Sequence, residues 1–126
     1  MRFMMFMYPQ IEDADWNPSA EDVAEMSRYN EELRKAGMLL ALDGLHPPAE
    51  GASVSFDDGG VKAVTDGPFA EAKEVVGGYW IIQARSKDEA VEWAKRCPGR
   101  DCRIEVRRVF EMEDFSEDVQ AAVAGG

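Results

Sequence analysis

Val75–Ala84, VVGGYWIIQA, followed at once by Ser86-Lys87-Asp88-Glu89 and then by Ala90, Val91, Trp93, Ala94 and Cys97, is the stretch that decides the fold. Its β-branched and aromatic side chains predict a central strand, with Gly77-Gly78 marking a bulge or a close backbone approach. Ser86 and Glu89 form a capping box, in which a hydroxyl and a carboxylate satisfy two orphan amide donors at a helix start. Pro98-Gly99 stops that helix. Cys102–Met112 then alternates, with Cys102, Ile104, Val106 and Arg108 on one face and Arg103, Glu105, Arg107 and Val109 on the other, which predicts a final strand with one wetter face.

Upstream, the same β-α-β order recurs. Arg2–Tyr8 (RFMMFMY) is aromatic and methionine-rich and is stopped by Pro9, so it predicts a strand buried on both faces, its methionines filling core gaps. Met1–Tyr8 is followed by charged residues and Trp16 without a small-residue cleavage site, so it reads as that strand and not as a signal peptide. Ser19 is the predicted N-cap of a first helix, with Glu21 and Asp22 at the positive end of its dipole. Val23, Met26, Asn30 and Leu33 make its inward stripe, Glu31 pairs with Lys35, and Gly37 ends it. Met38–Leu45 reads as a second strand closed by His46-Pro47-Pro48. Between the two halves, Ser53–Phe56 and Val61–Val64 flank Asp57-Asp58-Gly59-Gly60, a hairpin turn signal. Glu117–Val123 suggests a short terminal helix.

Two β-α-β halves around an antiparallel sheet, with an inserted β-hairpin, describe an α+β, ferredoxin-like domain over residues 1–112, with a C-terminal tail or short helix over 113–126. Two helices cover only one face of such a sheet. Self-association as a homodimer is the expected cover for the other. The chain has 126 residues, which is one domain, and its 14 Lys and Arg against 25 Asp and Glu give a net charge of −11. That balance argues against a direct nucleic-acid surface and against an anionic membrane. No apolar run is long enough to span a bilayer, and the 2 cysteines are too few for a disulfide scaffold, so a cytoplasmic protein is expected.

Val64–Gly78 (VTDGPFAEAKEVVGG) resembles the DGPF branch of the YCII-related family, which takes its name from the letters standing here as Asp66-Gly67-Pro68-Phe69. Lys35–Leu40, Tyr79–Pro98 and Glu105–Arg107 resemble the family on either side, so the likeness covers residues 1 to about 110. The resemblance implies a ferredoxin-like dimeric α+β barrel and an enzymatic role built on a recurring His and Asp. For the DGPF branch it also implies a link to extracytoplasmic-type sigma factors and transcription initiation. The family histidine belongs to the first helix. Here the matching turn around Met26 carries none, and the only imidazole is His46.

Imidazole, with an ordinary pKa of about 6.5, is the side chain best suited to moving a proton near neutrality. His46 sits at a strand end stiffened by two prolines; it is either an ordinary loop histidine or the general acid–base group. Asp66 precedes Gly-Pro, where a carboxylate fixes a turn; its functional reading is the group that orients His46. Phe69, Glu71, Lys73 and Glu74 read as a solvated charged segment or as the mouth of a substrate cleft, with Lys73 holding an anionic group. Gly77 would let backbone amides approach a ligand. Cys97 and Cys102 lack zinc-type spacing, and no second histidine completes a metal triad, so neither a metal nor another cofactor is expected. Trp80 and Trp93 read as core or interface anchors, and Trp16 as a cover for a pocket or a dimer seam.

Two functions follow from these readings. One is a small cofactor-independent acid–base enzyme of lyase, isomerase or dehalogenase type acting on a small-molecule ligand, with His46 moving the proton. The other is a regulatory or binding module whose acidity suits a basic partner such as a sigma factor.

Overall fold

The structure, a computed structural model, describes residues 1–10, 17–67 and 74–125. Along the chain come β1 (Arg2–Pro9), α1 (Ala20–Lys35), β2 (Leu39–Gly44), β3 (Ala52–Phe56), β4 (Lys62–Asp66), β5 (Gly78–Gln83), α2 (Lys87–Lys95), β6 (Cys102–Arg108) and α3 (Glu117–Gly125), with 3-10 turns at Pro48–Glu50 and Met112–Asp114. β2, β5, β1 and β6 form one antiparallel sheet in that order, the ferredoxin-like weave, and the sheet is open rather than closed into a barrel. Among the described residues β3 and β4 pair only with each other, as a separate two-stranded sheet.

Strand alternation sorts the two faces of the large sheet. Phe3 and Met5 of β1 stand opposite Ile82 and Trp80 of β5, and all four are buried under the helices. Tyr29 and Leu33 of α1 and Ala90 of α2 complete the core with Met38 and Ala84. Full burial of Met5, Leu33 and Ile82 is worth about 2 kcal/mol each against exposure. Buried polar groups at this layer are paired. The Trp80 indole N–H donates to Asn30 Oδ1 at 2.8 Å, and the Tyr29 hydroxyl donates to the Trp93 carbonyl at 2.7 Å, tying α1 to α2.

Several local expectations shift. Phe3 and Met5 on one face of β1 are buried, whereas Met4, Phe6 and Tyr8 on the other are half-covered. Val23 is 48% exposed and Tyr29 takes the inward place expected of it. Glu31 pairs with Arg34, one residue short of Lys35. At α2 the Ser86 hydroxyl caps the Glu89 amide at 3.2 Å, but the Glu89 carboxylate reaches past Ser86 to the Arg85 amide at 3.0 Å. The helix ends at Lys95, so Cys97 follows it, and β6 ends at Arg108. Ser19 caps α1 as expected, accepting from the Asp22 amide, and Gly37 takes a left-handed φ of 73° just beyond it. Among the described residues no helix is long and apolar enough to cross a membrane.

Candidate functional site

The end of β2 leads into the site. Beyond Gly44, the Leu45 amide donates to the Gly77 carbonyl at 2.9 Å, and the Gly77 amide donates to the Met7 carbonyl at 2.7 Å. The ladder therefore runs on past the formal strand ends. Gly78 packs so close to its neighbour that a β-carbon there would stand 3.0 Å from the Asp43 carbonyl oxygen. The close backbone approach expected at Gly77-Gly78 is thus strand to strand. Both polar groups of Gly77 are spent in the ladder, so its amide is not the ligand donor that the sequence suggested.

His46 follows, exposed, and Pro47 and the buried Pro48 turn the chain into the short 3-10 turn. Leu45–Pro48, Glu50 and Gly51 form one wall of an open cleft of about 420 Å³, and Glu74, Val75 and Val76 form the other. The start of the DGPF motif is fastened to the histidine wall. The Gly67 amide donates to the Gly51 carbonyl at 2.9 Å, and a β-carbon at Gly67 would fall 1.5 Å from the Pro48 carbonyl oxygen. Only glycine fits there. Asp66, the last residue of β4, is exposed beside this contact, and no hydrogen bond or ion pair joins it to His46. Phe69, Glu71 and Lys73 lie outside the described residues, as does Trp16. Trp80 is a core residue and Trp93 packs partly buried against the core.

Glu74 is held at the rim by Arg103, Nη2 to Oε2 at 2.7 Å. The Arg103 guanidinium also lies 4.3 Å from the Tyr8 ring centroid and 3.4 Å from Glu105, so one β6 side chain ties the cleft rim to the open sheet face. On that same face the Tyr79 hydroxyl donates to Asp43 Oδ2 at 2.8 Å, a bond that raises the tyrosine above its ordinary pKa. Asp43, Tyr79 and Arg103 escaped sequence reasoning. Alternation did put Arg103 on the wetter face of its strand, but its partner Glu74 and the Asp43–Tyr79 pair depend on strand register.

An exposed imidazole on a loop stiffened by two prolines, sharing one cleft with Glu50, Glu74 and the half-buried Val75 and Val76, has the groups that proton transfer on a small molecule uses. Among the described residues no group of three or more His, Cys, Asp and Glu side chains is gathered to hold a metal ion.

A family model described as YCII-related domain matches residues 1–113. An uncharacterised protein of Rhizobium meliloti (strain 1021) is 30% identical over 82 residues, 64% of this chain. The aligned part spans 65% of that relative, less than two thirds of its length.

Proposed function

The chain belongs to the YCII-related family, and from that premise we propose that it is a member of the DGPF branch acting as a cofactor-independent acid–base enzyme on a small molecule at the His46 cleft. The observation that carries this reading is the seating of Gly67 on the Pro48 carbonyl, which fastens the motif's first residues to the histidine loop. A plain surface turn has no use for a backbone contact that excludes every side chain; a loop that must hold an imidazole still against a cleft does. In this reading His46 moves the proton, Glu50 and Glu74 supply negative charge in the same cleft, and Val75 and Val76 take the apolar part of the substrate, while Asp66, at the end of β4, helps to set the start of the motif. The working form is a homodimer in the cytoplasm, with a second copy covering Met4, Phe6 and Ile81.

The net charge of −11 favours a second reading, a docking module for a basic partner such as a sigma factor. The test separates the two. The chain has a single histidine, so its ring signals in a proton NMR spectrum need no assignment. Small hydroxylated and aromatic carboxylic acids are titrated in, and the expected result is a saturable shift of the ring signals by one chemical class. His46→Gln should then lose about 10²–10⁴-fold in turnover of that class, the usual weight of a general acid–base group. Turnover that survives His46→Gln overturns the proposal, as does a library that leaves the ring unmoved while a basic sigma factor binds in stoichiometric amount.

A further inference from the structure

A second groove runs between α2 and β6, lined by Val91, Ala94, Ile104 and Val106 together with Cys97, Gly99 and Cys102. Both thiols are free and half-buried. Gly99 lies between them: a β-carbon built there would stand 2.4 Å from the Cys102 sulfur and 3.8 Å from the Cys97 sulfur. Both sulfurs therefore lie close to the one position that a side chain at Gly99 would occupy. The loop that joins them is constrained at two points. Pro98 fixes its own φ, and Asp101 adopts a left-handed φ of 49°, a conformation that Asp tolerates better than most residues. The Asp101 carbonyl accepts from the Gln10 amide at 3.1 Å, which anchors the turn to the end of β1.

We propose that Cys97 and Cys102 are a dithiol that the fold holds ready to close as an intramolecular disulfide, with a low-molecular-weight disulfide such as oxidised glutathione as the oxidant. One protein thiolate attacks a sulfur of oxidised glutathione, forming a mixed disulfide and expelling a glutathione thiolate. The other protein thiolate attacks the cysteine sulfur of that mixed disulfide, forming the Cys97–Cys102 bond and expelling the second glutathione thiolate. The protons lost by the two protein thiols end on the two glutathiones, and the electrons that reduce the glutathione disulfide come from the protein pair. Burial pushes the Cys97 thiol up to about 11 and raises the Cys102 thiol as well, so attack is slow and the site answers to the equilibrium poise of its surroundings.

The test is equilibration of the full chain in glutathione redox buffers at one fixed pH, acid quenching, and intact-mass measurement. The expected product is a monomer lighter by two hydrogens. Its effective thiol concentration in the native chain should exceed that in the guanidinium-unfolded chain by on the order of tenfold or more, because the fold pre-pays the approach of the two sulfurs. Cys97→Ser and Cys102→Ser should each stop at a single glutathione adduct. Gly99→Ala, whose β-carbon would displace the Cys102 sulfur, should lower the native value towards the unfolded one. An effective concentration no higher in the native chain overturns the proposal, and so does an end point of persistent mixed disulfides or of disulfide-linked dimers.

Discussion

Gly67 carries more of the candidate site than its size suggests. A β-carbon there would meet the Pro48 carbonyl oxygen at 1.5 Å, the Pro48 carbonyl carbon at 2.4 Å and the Ala49 nitrogen at 3.1 Å. All three are backbone atoms, so no rotamer change relieves the clash; the end of β4 or the histidine loop must move. Gly67→Ala should cost about 1–3 kcal/mol, as overpacking does, and should shift the His46 ring signals. Gly44→Ala is the control, since a β-carbon at Gly44 meets nothing within 4 Å. If Gly67→Ala leaves both the thermal midpoint and the ring signals where they were, the motif does not position His46. Composition alone singled out His46, as the one imidazole beside two prolines. The role of Gly67 was not legible, because the Pro48 carbonyl meets it only once β3 and β4 have folded back. The same holds for Arg103, whose partners Glu74 and Tyr8 come from distant segments.

At the scale of elements, what the sequence showed best was whatever is decided within a few residues. Ser19 and Ser86 cap their helices because a hydroxyl two or three places from an orphan amide needs no tertiary help. The strand order needed only the two β-α-β patterns, with the hairpin as an insertion between them. Strand faces were harder: β1 is apolar at every position from Phe3 to Tyr8, so period two is silent about which side the helices cover. The α2 cap also yields a pH prediction. Hydrogen bonds from the Arg85 amide and guanidinium hold the Glu89 carboxyl below its ordinary value of 4.5. A carboxyl depressed on folding contributes stability that is present above its unfolded pKa and lost as the pH falls through its folded one. Glu89→Gln should therefore be less stable than the natural chain at neutral pH, and the gap should narrow below about pH 4.5 as Glu89 itself protonates. Urea midpoints of the two chains at pH 7 and at successive steps towards pH 3 check this; a gap that stays constant over that range removes the charge from the account.

For the whole molecule the open face of the large sheet is the feature that asks for a partner. Met4 stands opposite Ile81 and Phe6 opposite Tyr79, a half-covered apolar strip with no helix on it among the described residues. It is flanked by Arg103 and Arg107 as well as Glu105 and Asp43, so a copy rotated by a two-fold axis can set arginine against carboxylate. A face that is self-complementary in this way suits an isologous dimer. The β3–β4 hairpin offers a rival surface, with Val54 49%, Phe56 64% and Val64 67% exposed. Light scattering on a sizing column discriminates between the two. The natural chain should elute at twice the 14.0 kDa chain mass. Phe6→Lys buries a charge in the strip of the dimer yet leaves it in water on a monomer, so it should elute at the chain mass with an unchanged far-ultraviolet circular dichroism spectrum. Val54→Lys on the hairpin should leave the dimer intact. A natural chain that is monomeric at about 100 μM, weaker than about −5.5 kcal/mol of association, leaves the face to another occupant; a dimer broken by Val54→Lys and spared by Phe6→Lys moves the interface to the hairpin.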